Sequence, residues 1–109
     1  MLIMALPDVK EVTLLDAVTA TGAGTALKAN RQKGWTFVIT AASVTTGGTV
    51  AIQAYLQGAW VTIHSEAITA DGDTVVRDEY GHYAQLRGNV TARTDGTYTV
   101  TATGSTTGY

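Results

Sequence analysis

Three kinds of side chain in this sequence could carry out chemistry: the carboxylates of Asp71-Gly72-Asp73 with Asp78 and Glu79 beyond, the imidazoles of His64 and His82, and the hydroxyls of Ser43, Ser65 and Ser105. The carboxylates would suit a calcium loop, but such a loop spaces its ligands as D-x-D-x-D-G and closes on a distal bidentate Glu. Neither feature is present, and a tight turn is the simpler use. His64 and His82 could meet in space, yet they stand in no H-x-H or H-E-x-x-H arrangement for zinc and read as surface histidines on strands. The serines sit in no G-x-S-x-G turn, and no sequence feature pairs them with a base. Gly22-Ala23-Gly24 and Gly47-Gly48 precede no helix that could offer amide donors to a phosphate, so they read as turns. The sequence predicts no catalytic residue, cofactor or metal, and hence not an enzyme.

Recognition chemistry is better represented. The stretch AIQAYLQGAWVTIH, residues 51–64, gathers Tyr55, Trp60 and His64 beside the amides Gln53 and Gln57. Trp and Tyr combine large contact area with a polar handle and are enriched at interfaces. Three uses stay open: a satellite core under a loop such as residues 65–70 or the N-terminal arm, an intermolecular contact, or a platform on which sugar rings stack beside the amides.

Which use applies depends on the elements that hold these side chains. The chain has 109 residues, enough for one domain with a single core, and a net charge of −2. Without clustered Lys and Arg there is no electrostatic reason to expect nucleic acid as partner. The absence of cysteine removes disulfides and thiolate metal sites. Threonine makes up about a fifth of the chain and glycine is frequent, the balance of a pleated, turn-rich protein. The sequence therefore predicts an all-β fold, a single antiparallel β-sandwich of eight short strands near 11–20, 25–29, 35–41, 49–57, 60–64, 74–77, 82–93 and 97–103. Its connections can be jelly-roll-like or immunoglobulin-like, since strand order is invisible to periodicity. In the strand at 35–41, Trp35, Phe37 and Ile39 form the heavier face and are assigned to the core.

Register follows from requiring cross-strand neighbours to share a face. A two-residue turn at Gly58-Ala59 pairs Leu56 with Val61 and Ala54 with Ile63, giving a buried face of Val50, Ile52, Ala54, Leu56, Val61 and Ile63. Tyr55, Gln57, Trp60 and His64 then fall on the outer face and are the candidate interface. A three-residue hairpin loop, Thr94-Asp95-Gly96, with Gly96 left-handed, sets Ala92 opposite Tyr98 and Val90 opposite Val100. Its apolar face is Ala84, Leu86, Val90, Ala92, Tyr98, Val100 and Ala102, leaving Tyr83, Gln85, Arg87, Asn89, Thr91 and Arg93 outside.

The opening segment, MLIMALPDVK, lacks the positive n-region and long apolar run of a secretory signal, and no stretch approaches the ~20 apolar residues of a membrane span. A soluble product with no membrane partner is expected. Residues 1–10 form an N-terminal arm whose Leu2, Ile3 and Leu6 either pack on their own domain as an edge strand or dock on a neighbouring subunit. The domain then spans 11–103, and residues 104–109 form a polar, fraying tail.

The succession GWTFVIT, TTGGTVAIQAYL, QGAWVTI, ITADGDTVV and YAQLRGNVTARTDGTYTVTAT, covering roughly residues 11 to 103, resembles the small β-sandwich structural proteins of tailed bacteriophages, notably head decoration or cement proteins. That resemblance implies a non-enzymatic virion component, made in the host cytoplasm and seated on the capsid surface. Its implied partners are the major capsid protein or other virion subunits, and further copies of itself in a homo-oligomer. A glycan is the alternative partner, through a carbohydrate-binding or host-adhesion module. One departure stands out: the glycine-marked turn before Trp60 is shorter than an Asp-Gly turn; the N-terminal arm lies outside the stretch that carries the resemblance.

Overall fold

The computed structural model describes residues 9–28, 34–78 and 83–105. Within them the chain forms nine strands: β1 (Val9–Val18), β2 (Gly22–Ala23), β3 (Leu27–Lys28), β4 (Gly34–Ala42), β5 (Gly48–Leu56), β6 (Ala59–Ile68), β7 (Gly72–Asp78), β8 (Gln85–Arg93) and β9 (Thr97–Ser105). They build two antiparallel sheets, one in the order β1-β9-β4-β7 and the other β2-β8-β5-β6, with β3 also on β8. With β2 and β3 taken as one interrupted strand, this is the strand order of a jelly roll, two interlocked Greek keys. The β-sandwich expected from composition is present, and the topology resolves to the jelly-roll alternative.

Alternation explains the layers. In β4, Trp35, Phe37, Ile39 and Ala41 are buried while Thr36, Val38 and Thr40 face outward. β9 matches it with Tyr98, Val100 and Ala102 inward, and register pairs Phe37 with Ala102 and Ile39 with Val100. The second sheet supplies Val50, Ile52 and Ala54 from β5 and Leu86 and Val90 from β8. The core therefore sits between the sheets, with Trp35 enclosed as the heavy face of β4 requires. On β1, the adjacent Leu14 and Leu15 are both buried because the register shifts between Thr13 and Leu15; a bulge spends one extra residue and turns both side chains inward.

The structure corrects several sequence expectations. β8 and β9 lie in different sheets, so residues 94–96 form a corner between layers rather than a hairpin loop. Gly96 does adopt the left-handed conformation, at φ 99, since a corner imposes that turn as much as a hairpin does. Ala84 and Ala92 are exposed. Ala92 turns outward because the β5–β8 register shifts between Thr49 and Val50, pairing Thr49 with Ala92 but Val50 with Val90. Residues 65–68 continue β6 instead of forming a covering loop, and β9 runs on through Gly104 and Ser105. The first strand pair after the arm begins at Val9, opposite Ser105. Residues 1–8, with Leu2, Ile3 and Leu6, and also His82 and Glu79, lie outside the described residues.

One end of the sandwich is held by two aspartates. Asp95 Oδ1 accepts from the backbone N–H groups of Thr45 (3.1 Å), Thr46 (3.1 Å) and Gly47 (2.8 Å), and Oδ2 accepts from Thr46 at 2.9 Å. Asp71 Oδ1 accepts from the Val44 N–H at 2.7 Å. The β4–β5 turn is thereby tied to both the inter-sheet corner and the β6–β7 turn. The carboxylate of the Asp71-Gly72-Asp73 stretch thus serves a turn, as its spacing suggested.

The hydrogen bonds from Thr46, Gly47 and Thr45 hold the Asp95 carboxyl below its ordinary value of 3.8. A depressed folded value means the charged clasp stabilises the fold above the unfolded value, and that contribution fades as pH falls from about 4 through the folded value. Asp95→Asn removes the charge and keeps the shape. Its melting temperature should lie below that of the wild type at pH 7, with the gap closing as the solution is acidified. Calorimetry across that range checks it; a gap independent of pH would show that the charge contributes nothing.

Candidate functional site

The β5–β6 hairpin reaches past its neighbour. Among the described residues β5 pairs with β8 only as far as Ala54 opposite Leu86, while Tyr55 and Leu56 pair with β6 alone, opposite Trp60 and Ala59. The turn is Gln57-Gly58, both at positive φ (50 and 83), the type I′ geometry whose twist matches the strands. The expected turn at Gly58-Ala59 is therefore displaced by one residue, and each β6 partner shifts by two. Parity survives that change: Tyr55 and Trp60 share one face, Leu56 and Ala59 the other.

On the outer face the hairpin carries an organised cluster. The rings of Tyr55 and Trp60 meet edge-on, with centroids 5.3 Å apart at 68°. The Arg87 guanidinium carbon lies 4.3 Å from the centre of the Trp60 ring, a cation–π contact. Gln53 sits between Thr62 and Arg87 on the flanking strands and uses both ends of its amide. Its Nε2 donates to Thr62 Oγ1 (3.1 Å), and its Oε1 accepts from Arg87 Nε (2.8 Å) and Asn89 Nδ2 (3.3 Å). Gln53 is 9% exposed, so it aims the arginine over the indole rather than offering its amide outward. Arg87 and Asn89 belong to this site although the sequence placed them only on an outer face. The missing signal was the neighbourhood of β8 and β5, which no local pattern encodes.

The opposite side of the hairpin is apolar as well. Leu56 (37% exposed) and Val61 (42%) stand open, as does Tyr55 (38%). The expected burial of Leu56 and Val61 does not occur, because the hairpin extends beyond the β8 pairing that covers Ala54. Ile63, the bulged residue, is only half-buried. Gln57, in the turn, is exposed and caps the tip.

His64 departs from the set. The β5–β6 register shifts between Ile52 and Gln53, so His64 pairs with Ile52 and turns between the sheets, where its ring lies 6.1 Å from Phe37. One extra residue at Ile63 reverses its face. There it approaches Asp78 Oδ2 at 3.7 Å, too long for a hydrogen bond, while the Tyr83 hydroxyl donates to the same oxygen. Burial first, then the hydrogen bond and charge of Asp78, push the Tyr83 phenol well above its usual range. The trio lies between the β6 and β7 edges beside the stacked Trp35 and Phe37 rings. Among the described residues no group of three or more His, Cys, Asp or Glu is placed to hold a metal, and no helix is long and apolar enough to cross a membrane.

No family model matches the chain, and no curated protein does. Two solved structures are similar in fold. The SPBc2 prophage-derived protein YomS superposes with a TM-score of 0.67 at 16% identity, over 96% of this chain and 99% of that one. A subunit from Bacillus endospore appendages, described as a novel family of disulfide-linked pili, superposes with a TM-score of 0.50 at 10% identity, over 96% and 95%. At such identities the likeness is one of fold: this chain is a jelly-roll sandwich similar to a prophage-derived protein and to a pilus-forming one.

Proposed function

We propose that the chain is a non-enzymatic structural subunit of a phage-derived particle, decorating or cementing its capsid through the β5–β6 hairpin. The observation that carries this reading is a projecting hairpin apolar on both sides, with Tyr55 and Trp60 on one and Leu56 and Val61 on the other. A tip of that kind is suited to insertion into a groove on a partner protein, where a fixed aromatic anchor contributes most of the affinity. Arg87 fixes the indole before contact, which lowers the ordering cost of binding. The fold likeness to a prophage-derived protein is in keeping with this role. Having no cysteine, the chain makes its contacts without the disulfide links named for the appendage pili.

A sugar platform is less well served. One face of the indole is taken by the guanidinium, and the Gln53 amide is consumed internally. The test is co-sedimentation of purified protein with particles from an induced prophage or a phage carrying the gene. Trp60→Ala should lose at least about 2 kcal/mol of binding, roughly thirtyfold in affinity, and remain folded. Equal co-sedimentation of the variant would remove the hairpin from the interface. Glycan binding that vanishes with Trp60→Ala would favour the adhesion reading instead.

A further inference from the structure

A strand edge with unpaired backbone groups is a template for another chain, and proteins blunt such edges with bulges, short strands or inward-pointing charge. Three borders of this sandwich carry those devices. β1 is interrupted by two register shifts, with Ala17 at φ 48. β2 and β3 have two residues each. β6 is bulged at Ile63 and sets His64 and Glu66 on the inward side, opposite Ile52 and Val50. β7 differs: its seven residues pair with β4 without a shift from Ala41↔Gly72 to Trp35↔Asp78. An acidic side chain turns inward only at its last position, and none of the described strands pairs with its other side.

The outward side chains of β7 are Asp73, Val75 and Arg77, opposite Thr40, Val38 and Thr36 on β4. All three are exposed, and Val75, at 56%, is the most exposed large hydrophobic residue among those described. Acid, valine and base in this order are self-complementary under a two-fold axis. If β7 meets β7 of a second copy antiparallel with Val75 facing Val75, Asp73 faces Arg77 of that copy, and Arg77 faces its Asp73. A slide of two residues, the next register that keeps the faces, sets Val75 against a charge instead.

We propose that β7 pairs with β7 of a second copy in this register, fusing the two β1-β9-β4-β7 sheets into one continuous sheet across an isologous interface. Main-chain hydrogen bonds supply the attraction and the crossed charges select the register, because like charges directly opposite on a sheet destabilise it. This contact lies on the sheet that does not carry Trp60, and it stands apart from the hairpin reading.

Sedimentation velocity of the full chain over a wide concentration range tests it with charge swaps at exposed positions. Wild type should dimerise. Arg77→Asp sets acid against acid twice in each dimer and should weaken dimerisation at least tenfold, and Asp73→Arg combined with Arg77→Asp should restore it. Circular dichroism spectra of all three should coincide, showing the same fold, and Trp60→Ala should still dimerise. A monomeric wild type, an Arg77→Asp protein that dimerises as well as wild type, or a double swap that fails to restore the dimer would each overturn the proposal. Should Arg77→Asp alone fail to fold, the exposed Asp73→Arg, which sets base against base twice, replaces it as the weakened partner of the double swap.

Discussion

Gly47→Ala melts roughly 15–20 °C below the wild type. Gly47 sits at φ 106, where a side chain is strained, and an added Cβ would stand 1.7 Å from the Ile68 carbonyl oxygen. The obstacle is backbone, so no rotamer change relieves it. The turn cannot retreat either, because Asp95 holds the N–H groups of Thr46 and Gly47, and the Gly47 carbonyl accepts from the Thr94 N–H at 2.9 Å. Strained φ and a backbone clash together cost about 4 kcal/mol. Gly58→Ala, in the open hairpin turn where nothing lies within 4 Å of an added Cβ, should cost only the φ strain. A thermal melt comparing the two separates clash from strain.

Phe37→Ala should cost roughly 3–5 kcal/mol, the range for removing a buried aromatic ring and leaving its cavity. Phe37 is fully buried in the middle of β4 and touches both halves of the sandwich: it stacks 6.2 Å from Trp35 in its own strand and lies 6.1 Å from His64 of the opposite sheet. Its loss therefore loosens the contact between layers as well as one strand. Urea unfolding measures it; a midpoint within experimental error of the wild type would mean that the sheets are joined chiefly elsewhere.

How far the sequence could be read depends on which residues carry a local signal. The alternation in β4, β5 and β9 placed Trp35, Phe37, Ile52, Val100 and their neighbours inside and put Tyr55 and Trp60 outside, because a two-residue period needs no knowledge of partners. Bulges break that logic silently. Ile63 and Thr91 look like ordinary strand residues, yet each is the extra residue that turns His64 inward or Ala92 outward. Gly96 announced its left-handed backbone, but the same backbone serves a hairpin or a corner between sheets. The bracing of Trp60 by Arg87 and Gln53 was equally hidden, since β8 lies beside β5 only through jelly-roll winding. The edge character of β7, and with it the crossed pattern of Asp73, Val75 and Arg77, needs the strand order before it means anything.

The proposed contact surface is tested most directly by hydrogen–deuterium exchange of the wild-type protein, free and bound to the particle it co-sediments with. The amides of residues 55–61 should be slowed strongly on binding, while those of the aspartate-tied end, residues 43–47 and 94–96, keep their free rates. Protection confined to that far end, with the hairpin amides unchanged, would contradict the account.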